Sequence, residues 1–149
     1  MFNHTHTHTR NVTYRHLVAD DVYEITIHTS SRQATDDLFE ILHEIFALRP
    51  DAPLLRLLMI EVEDLLPVSY FMAKTRQFLE QHPRRPPTRT VLLYNPNKPV
   101  DYLSLMIKML RLRDAMTAMP HHRRSEALHW LQHPDAEETR EHVTPFSRS

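Results

Sequence analysis

Between residues 60 and 72 the chain runs IEVEDLLPVSYFM, which places Glu61, Glu63, Asp64 and Ser69 within one short turn. Paired carboxyl groups can act as general acid and base when burial or a like-charged neighbour pushes one pKa upward. A serine close to an acid can instead serve as a phosphorylation switch. The plainest alternative is a helix start, where acids interact favourably with the helix dipole by under about 1 kcal/mol. Glu61 and Glu63 alternate, so on a strand they share a face, and Asp64 follows at the carboxyl end. No fixed pattern of partners accompanies these acids, so no catalytic residue is assigned.

The histidines are the other chemical resource, twelve in all. His4, His6 and His8 fall on one side of an extended chain, a spacing that can capture a divalent metal. His129 and His133 are four apart, but Trp130 stands where a zincin motif carries glutamate, and Pro134 follows. His121 and His122 are adjacent and would point apart on a strand. No acid or cysteine completes a ligand set, so neither a metal site nor a cofactor is expected. Two basic stretches, 82–89 and 121–125, are suited to an acidic partner or to plain solvation.

Composition removes many chemistries. There is no cysteine, which excludes disulfides, thiol catalysis and cysteine-bound clusters. There is no glycine either, so the P-loop, the dinucleotide fingerprint, the nucleophile elbow and the EF-hand loop are all absent. Turns must be made from Asn, Asp, Ser and eleven prolines. A formal net charge of -1, with no aromatic residues interleaved among the basic ones, does not suggest a nucleic-acid partner. No apolar run reaches the roughly 18 residues of a membrane helix, and the N-terminus lacks the layout of a secretory signal. A cytoplasmic protein without membrane contact is the default expectation.

The elements that would position the turn follow from periodicity. Residues 1–10 form a flexible His/Thr arm, 11–133 a single α/β domain, and 134–149 a polar tail. Strands are predicted over 11–19, 22–29, 54–62, 88–96 and 115–119. The first two form a hairpin turning on Asp20 and Asp21. A capping box from Ser30 to Gln33 opens a helix whose apolar face is Leu38, Ile41, Leu42 and Ile45. The run 54–62 is nearly unbroken apolar sequence, as a strand covered on both faces requires. Pro67 opens a second helix, NKP (97–99) a third carrying Leu103, Met106, Ile107 and Leu110, and 125–131 a short fourth. The fold class is α/β, a mixed central sheet of about five strands with four helices.

That order resembles the STAS-like (SpoIIAA-like) family, the fold of bacterial anti-sigma-factor antagonists, over roughly residues 12–132. An apolar strand ending in acids, LP before a helix, the stretch QHPRRPPTRTVLLYNPNKP and the closing SEALHWL carry the likeness. The resemblance implies a signalling module whose switch is a hydroxyl just after an acid at the second helix. Here Asp64 takes the acid's place, Leu65 and Leu66 replace the hydroxyls, and Ser69 lies five positions on, so the switch is lost or displaced. Glu63, Asp64, Leu65, Leu66, Ser69 and Tyr70 are the candidate contact or switch residues. Leu65, Leu66 and Tyr70 either touch a partner chain or fold back as a hydrophobic staple. Two functions stay open. One is a non-enzymatic regulatory or scaffolding module acting through protein contacts, with a second copy of the chain among the partners. The other is a domain binding an apolar small molecule.

Overall fold

The computed structural model describes residues 11–63, 66–96 and 115–133, together with the backbone of residues 4–7. It is a mixed α/β structure. Six strands lie side by side in chain order: β1 (His4–Thr7), β2 (Val12–Leu17), β3 (Val22–Ile27), β4 (Leu55–Glu61), β5 (Thr88–Tyr94) and β6 (Ala115–Pro120). β1, β2 and β3 pair antiparallel, and β3 through β6 pair parallel. The expected hairpin and the central place of the 54–62 run are both present. Backbone pairing also takes His4–Thr7 into the sheet edge opposite Thr13–His16, where periodicity predicted an arm and no strand.

Among the described residues three α-helices appear: α1 (Arg32–Leu48), α2 (Val68–Gln81) and α3 (Arg124–Gln132). The helix expected after Asn97 falls outside the described residues. α1 begins one residue later than the predicted capping box. Ser31, not Ser30, is extended and accepts a hydrogen bond from the Ala34 backbone N–H at 3.0 Å. Ala34 sits three residues past Ser31, so the geometry of the cap selects the second serine.

Side chains alternate across the sheet and make two cores. On one face Tyr23, Ile25, Ile27, Leu55, Leu57 and Met59 pack against α1 and α2. The predicted α1 stripe of Leu38, Ile41, Leu42 and Ile45 is wholly buried there. Phe39 meets Phe71 and Phe78 with ring centroids at 5.8 and 5.5 Å, which ties α1 to α2. On the other face Val22, Leu58, Val91 and Leu93 pack against Ala127 and Leu131 of α3. Ile60 is only half-buried at the margin of that second core, less than its place in the run implied.

Polar side chains lock α3 in position. The last carbonyls of a helix lack intrahelical partners. Here Arg89 Nε donates to the Trp130 carbonyl and Arg56 Nε to the Leu131 carbonyl, both at 3.0 Å. The Arg89 guanidinium also stacks 3.7 Å from the Trp130 ring centroid. At the start of α3, Arg124 reaches the buried Glu24, which also pairs with Arg15 at 2.6 Å.

Without glycine, the β2–β3 turn needs one residue in the left-handed region, and Asp21 takes it with φ 55°. Its carboxylate receives Arg49 at 2.9 and 3.3 Å and lies 2.8 Å from His16 Nε2. The Arg49 hydrogen bonds, aided by those from His16, hold the Asp21 carboxyl below its ordinary range against partial burial. A carboxylate more acidic when folded than when unfolded stabilises the fold above the unfolded value, near 3.9, and loses that contribution below it. Asp21→Asn keeps a residue tolerant of positive φ and removes the charge. Urea melts should therefore show a gap between wild type and Asp21→Asn that narrows as pH falls from about 6 to about 3. Asp21→Val should be worse at every pH, because a β-branched residue resists positive φ. A gap independent of pH would remove the electrostatic account.

Candidate functional site

The turn singled out by the sequence leaves the carboxyl end of β4 and enters α2. Parallel sheets place such turns at one end, where sites are commonly built. Its first carboxylate points inward. Glu61 is 2% exposed, and its Oε2 accepts the Leu66 backbone N–H at 3.3 Å. The backbone carbonyl of Glu61 is held from another direction by His121 Nε2 at 2.7 Å. A carbonyl can only accept, so that nitrogen carries the proton.

Glu63 is exposed, and its Oε1 accepts the Ser30 backbone N–H at 3.2 Å, joining the turn to the entry of α1. Glu61 and Glu63 therefore share the duty of holding backbone. Glu61 is not a simple helix-start acid: it falls on the face of Leu57 and Met59 and is buried there.

Of the two readings left open for Leu66, its burial supports the staple: it is 2% exposed and belongs to the core beneath α1 and α2. Pro67 holds the chain extended just before α2, and the Phe71 N–H donates to its carbonyl at 2.8 Å as the helix begins. Asp64 and Leu65 lie outside the described residues.

Ser69 is exposed in the first turn of α2. Tyr70 is half-buried. Its hydroxyl donates to Asp36 at 2.6 Å, which raises the phenol pKa, and Arg32 lies 4.8 Å from its ring centroid. Lys74 reaches the same Asp36 at 3.4 Å. Tyr70 thus bridges α2 to α1.

Periodicity did not reveal a second polar cluster beside this turn. Asp37, buried on α1, receives Asn11 Nδ2 at 3.1 Å and Gln33 Nε2 at 2.9 Å, while Thr29 donates to Asn11 Oδ1 at 2.9 Å. The signal available in sequence was an aspartate on the α1 face next to Leu38 and Ile41, a position an apolar stripe would not place there. The cluster joins α1 to the β2 and β3 ends and, among the described residues, has no nucleophile with an adjacent base.

Among the described residues, the outward side of the turn is a rim of Val62 and Val68, 47% and 42% exposed, with Glu63 and Ser69. Among the described residues, no group of three or more His, Asp or Glu side chains is placed to hold a metal. No described helix is long and apolar enough to cross a membrane.

Truncating Leu66 should be expensive and altering the rim cheap. Leu66→Ala should lower unfolding free energy by about 2–4 kcal/mol, and Glu63→Gln by no more than about 0.5 kcal/mol. Ser69→Asp places a negative charge in the first turn of α2 and should be neutral or slightly stabilising. Denaturant titration of the three variants checks this ordering, and a Leu66→Ala variant as stable as wild type would contradict the staple.

Comparison with known proteins returned no match among family models, curated proteins or solved structures.

Proposed function

We propose that the chain is a non-enzymatic STAS-like regulatory or scaffolding module that works through protein contacts at the turn after β4, with a second copy of the chain as the first partner to test. The observation that carries this is the division of labour at the turn. Its buried carboxylate, Glu61, and its buried leucine, Leu66, hold the fold, while Val62 and Val68 are left in water beside Glu63 and Ser69. Apolar side chains flanked by polar ones are the ordinary make-up of a protein contact patch. The displaced hydroxyl of the STAS-like resemblance, Ser69, stands within that rim, where a phosphate would add charge to the contact.

The alternative, an apolar ligand, is supported by a cavity between α1, α2 and the sheet, lined among others by Phe39, Leu42, Phe71, Phe78 and Met116. Its volume is about 60 Å³. Pockets that enclose a small molecule run to roughly 300–1,000 Å³. The magnitude favours a protein contact over a lipid or drug-sized ligand.

The double variant Val62→Asp/Val68→Asp should keep the wild-type circular dichroism and melting profile and lose self-association in sedimentation velocity. A variant that folds and associates as wild type does would set this surface aside. Native mass spectrometry of the freshly purified chain separates the alternative, because a retained small molecule would favour the ligand domain.

A further inference from the structure

At the opposite end of the sheet, α1 and α2 finish side by side and the loop 82–87 leads into β5. There His43 Nδ1 and His82 Nε2 stand 3.2 Å apart, with ring centroids at 5.0 Å. The two imidazoles border an open pocket of about 330 Å³ whose lining, among the described residues, includes Phe46, Arg84, Arg85 and Pro86, and no Asp or Glu. That volume is within the range of small-molecule sites. Arg84 is exposed, and Arg85 also donates to the His82 carbonyl at 3.3 Å. A metal cation does not suit this place, because two arginines face it and no third ligand among the described residues accompanies the histidines.

We propose that this pocket binds a tetrahedral oxyanion of the phosphate monoester class, held by Arg84, Arg85 and the His43–His82 pair. Guanidinium groups match phosphate oxygens in charge and geometry, and the proline-rich loop presents Arg84 and Arg85 on a backbone with little freedom to lose. The histidine pair makes the site responsive to pH. Its hydrogen bond needs one donor and one acceptor, so the pair accommodates one added proton. A second proton breaks the bond and sets two like charges together, unless an anion stands beside them. Burial against Phe46 and Phe78, then the proximity of His43 and Arg85, holds the His82 pKa below its ordinary value.

The other groups facing the pair divide by element. On α1, Asp36, Glu40 and Glu44 line an adjoining groove together with His43. On α2, Lys74, Gln77 and Gln81 line that same groove. Glu44 also accepts the Tyr14 hydroxyl at 3.4 Å. Arg85 opposes a proton on His82, and an incoming anion offsets that opposition.

Sulfate is the first probe, since its charge does not change across the range. NMR titration of the full chain should show sulfate perturbing the amides around 43–50 and 82–86. Affinity should tighten by about tenfold as pH falls from about 7.5 to about 5.5, the effect of roughly one added charge at the site. Arg84→Glu, at an exposed loop position, should abolish binding with an unchanged spectrum elsewhere, and Arg84→Gln should weaken it. His43→Gln/His82→Gln should flatten the pH dependence.

Inorganic phosphate and a phosphoserine peptide then distinguish the source. Tighter peptide binding assigns the phosphate to a modified protein, and equal binding assigns it to a free phosphate, both within the proposal. Undiminished binding in Arg84→Glu, a flat pH profile in wild type, or shifts confined to residues 121–124 would overturn it.

Discussion

β4 must be covered on both faces, and the placement of everything else follows from that requirement. Its odd-numbered side chains, Leu55, Leu57 and Met59, enter one core, and Leu58 enters the other. A strand of this kind, left half-covered, would expose roughly 1.5–3 kcal/mol of unfavourable apolar surface for each large side chain. Among the described residues, α1 and α2 meet the requirement on one face and α3 on the other. The same alternation carries Glu61 to the face of Leu57 and Met59 at the strand's end, where its Oε2 accepts a backbone N–H from the approach to α2. The turn's described residues therefore divide into inward anchors, Glu61 and Leu66, and an outward rim.

A helix as short as α3 is held on the second face by more than apolar contact. Ala127 and Leu131 are the two wholly buried residues α3 contributes. Arg56 and Arg89, neighbours in register on β4 and β5, cap its terminal carbonyls, and Trp130 lies under the Arg89 guanidinium. Placing cationic groups at a helix C-terminus also suits the dipole. On a central strand an arginine looks out of place in a pattern of apolar residues. Here it is the clamp that lets a nine-residue helix stay docked.

The hairpin, the doubly buried β4 and the apolar stripe of α1 were legible in the amino-acid sequence through their strand and helix periods. Other features depended on three-dimensional neighbours. Ser30 and Ser31 are equivalent by composition, and only backbone geometry selects Ser31 as the cap. Leu66 could be staple or contact until the neighbours from α1 and α2 were seen to bury it. Nothing in HTHTHT, with its threonines and histidines, distinguishes an edge strand from an arm, since the partner strand supplies the pairing. The meeting of His43 with His82 is a contact between residues 39 apart, invisible to any local pattern.

The proposed role rests on the outer rim of the turn meeting another copy of the chain. Backbone hydrogen exchange, followed peptide by peptide at low and high protein concentration, tests this most directly. Slower exchange at high concentration in the segment from Val62 to Tyr70, with the core strands unchanged, is the predicted result. Exchange in that segment that is identical at both concentrations, in a chain that remains monomeric throughout, would contradict it.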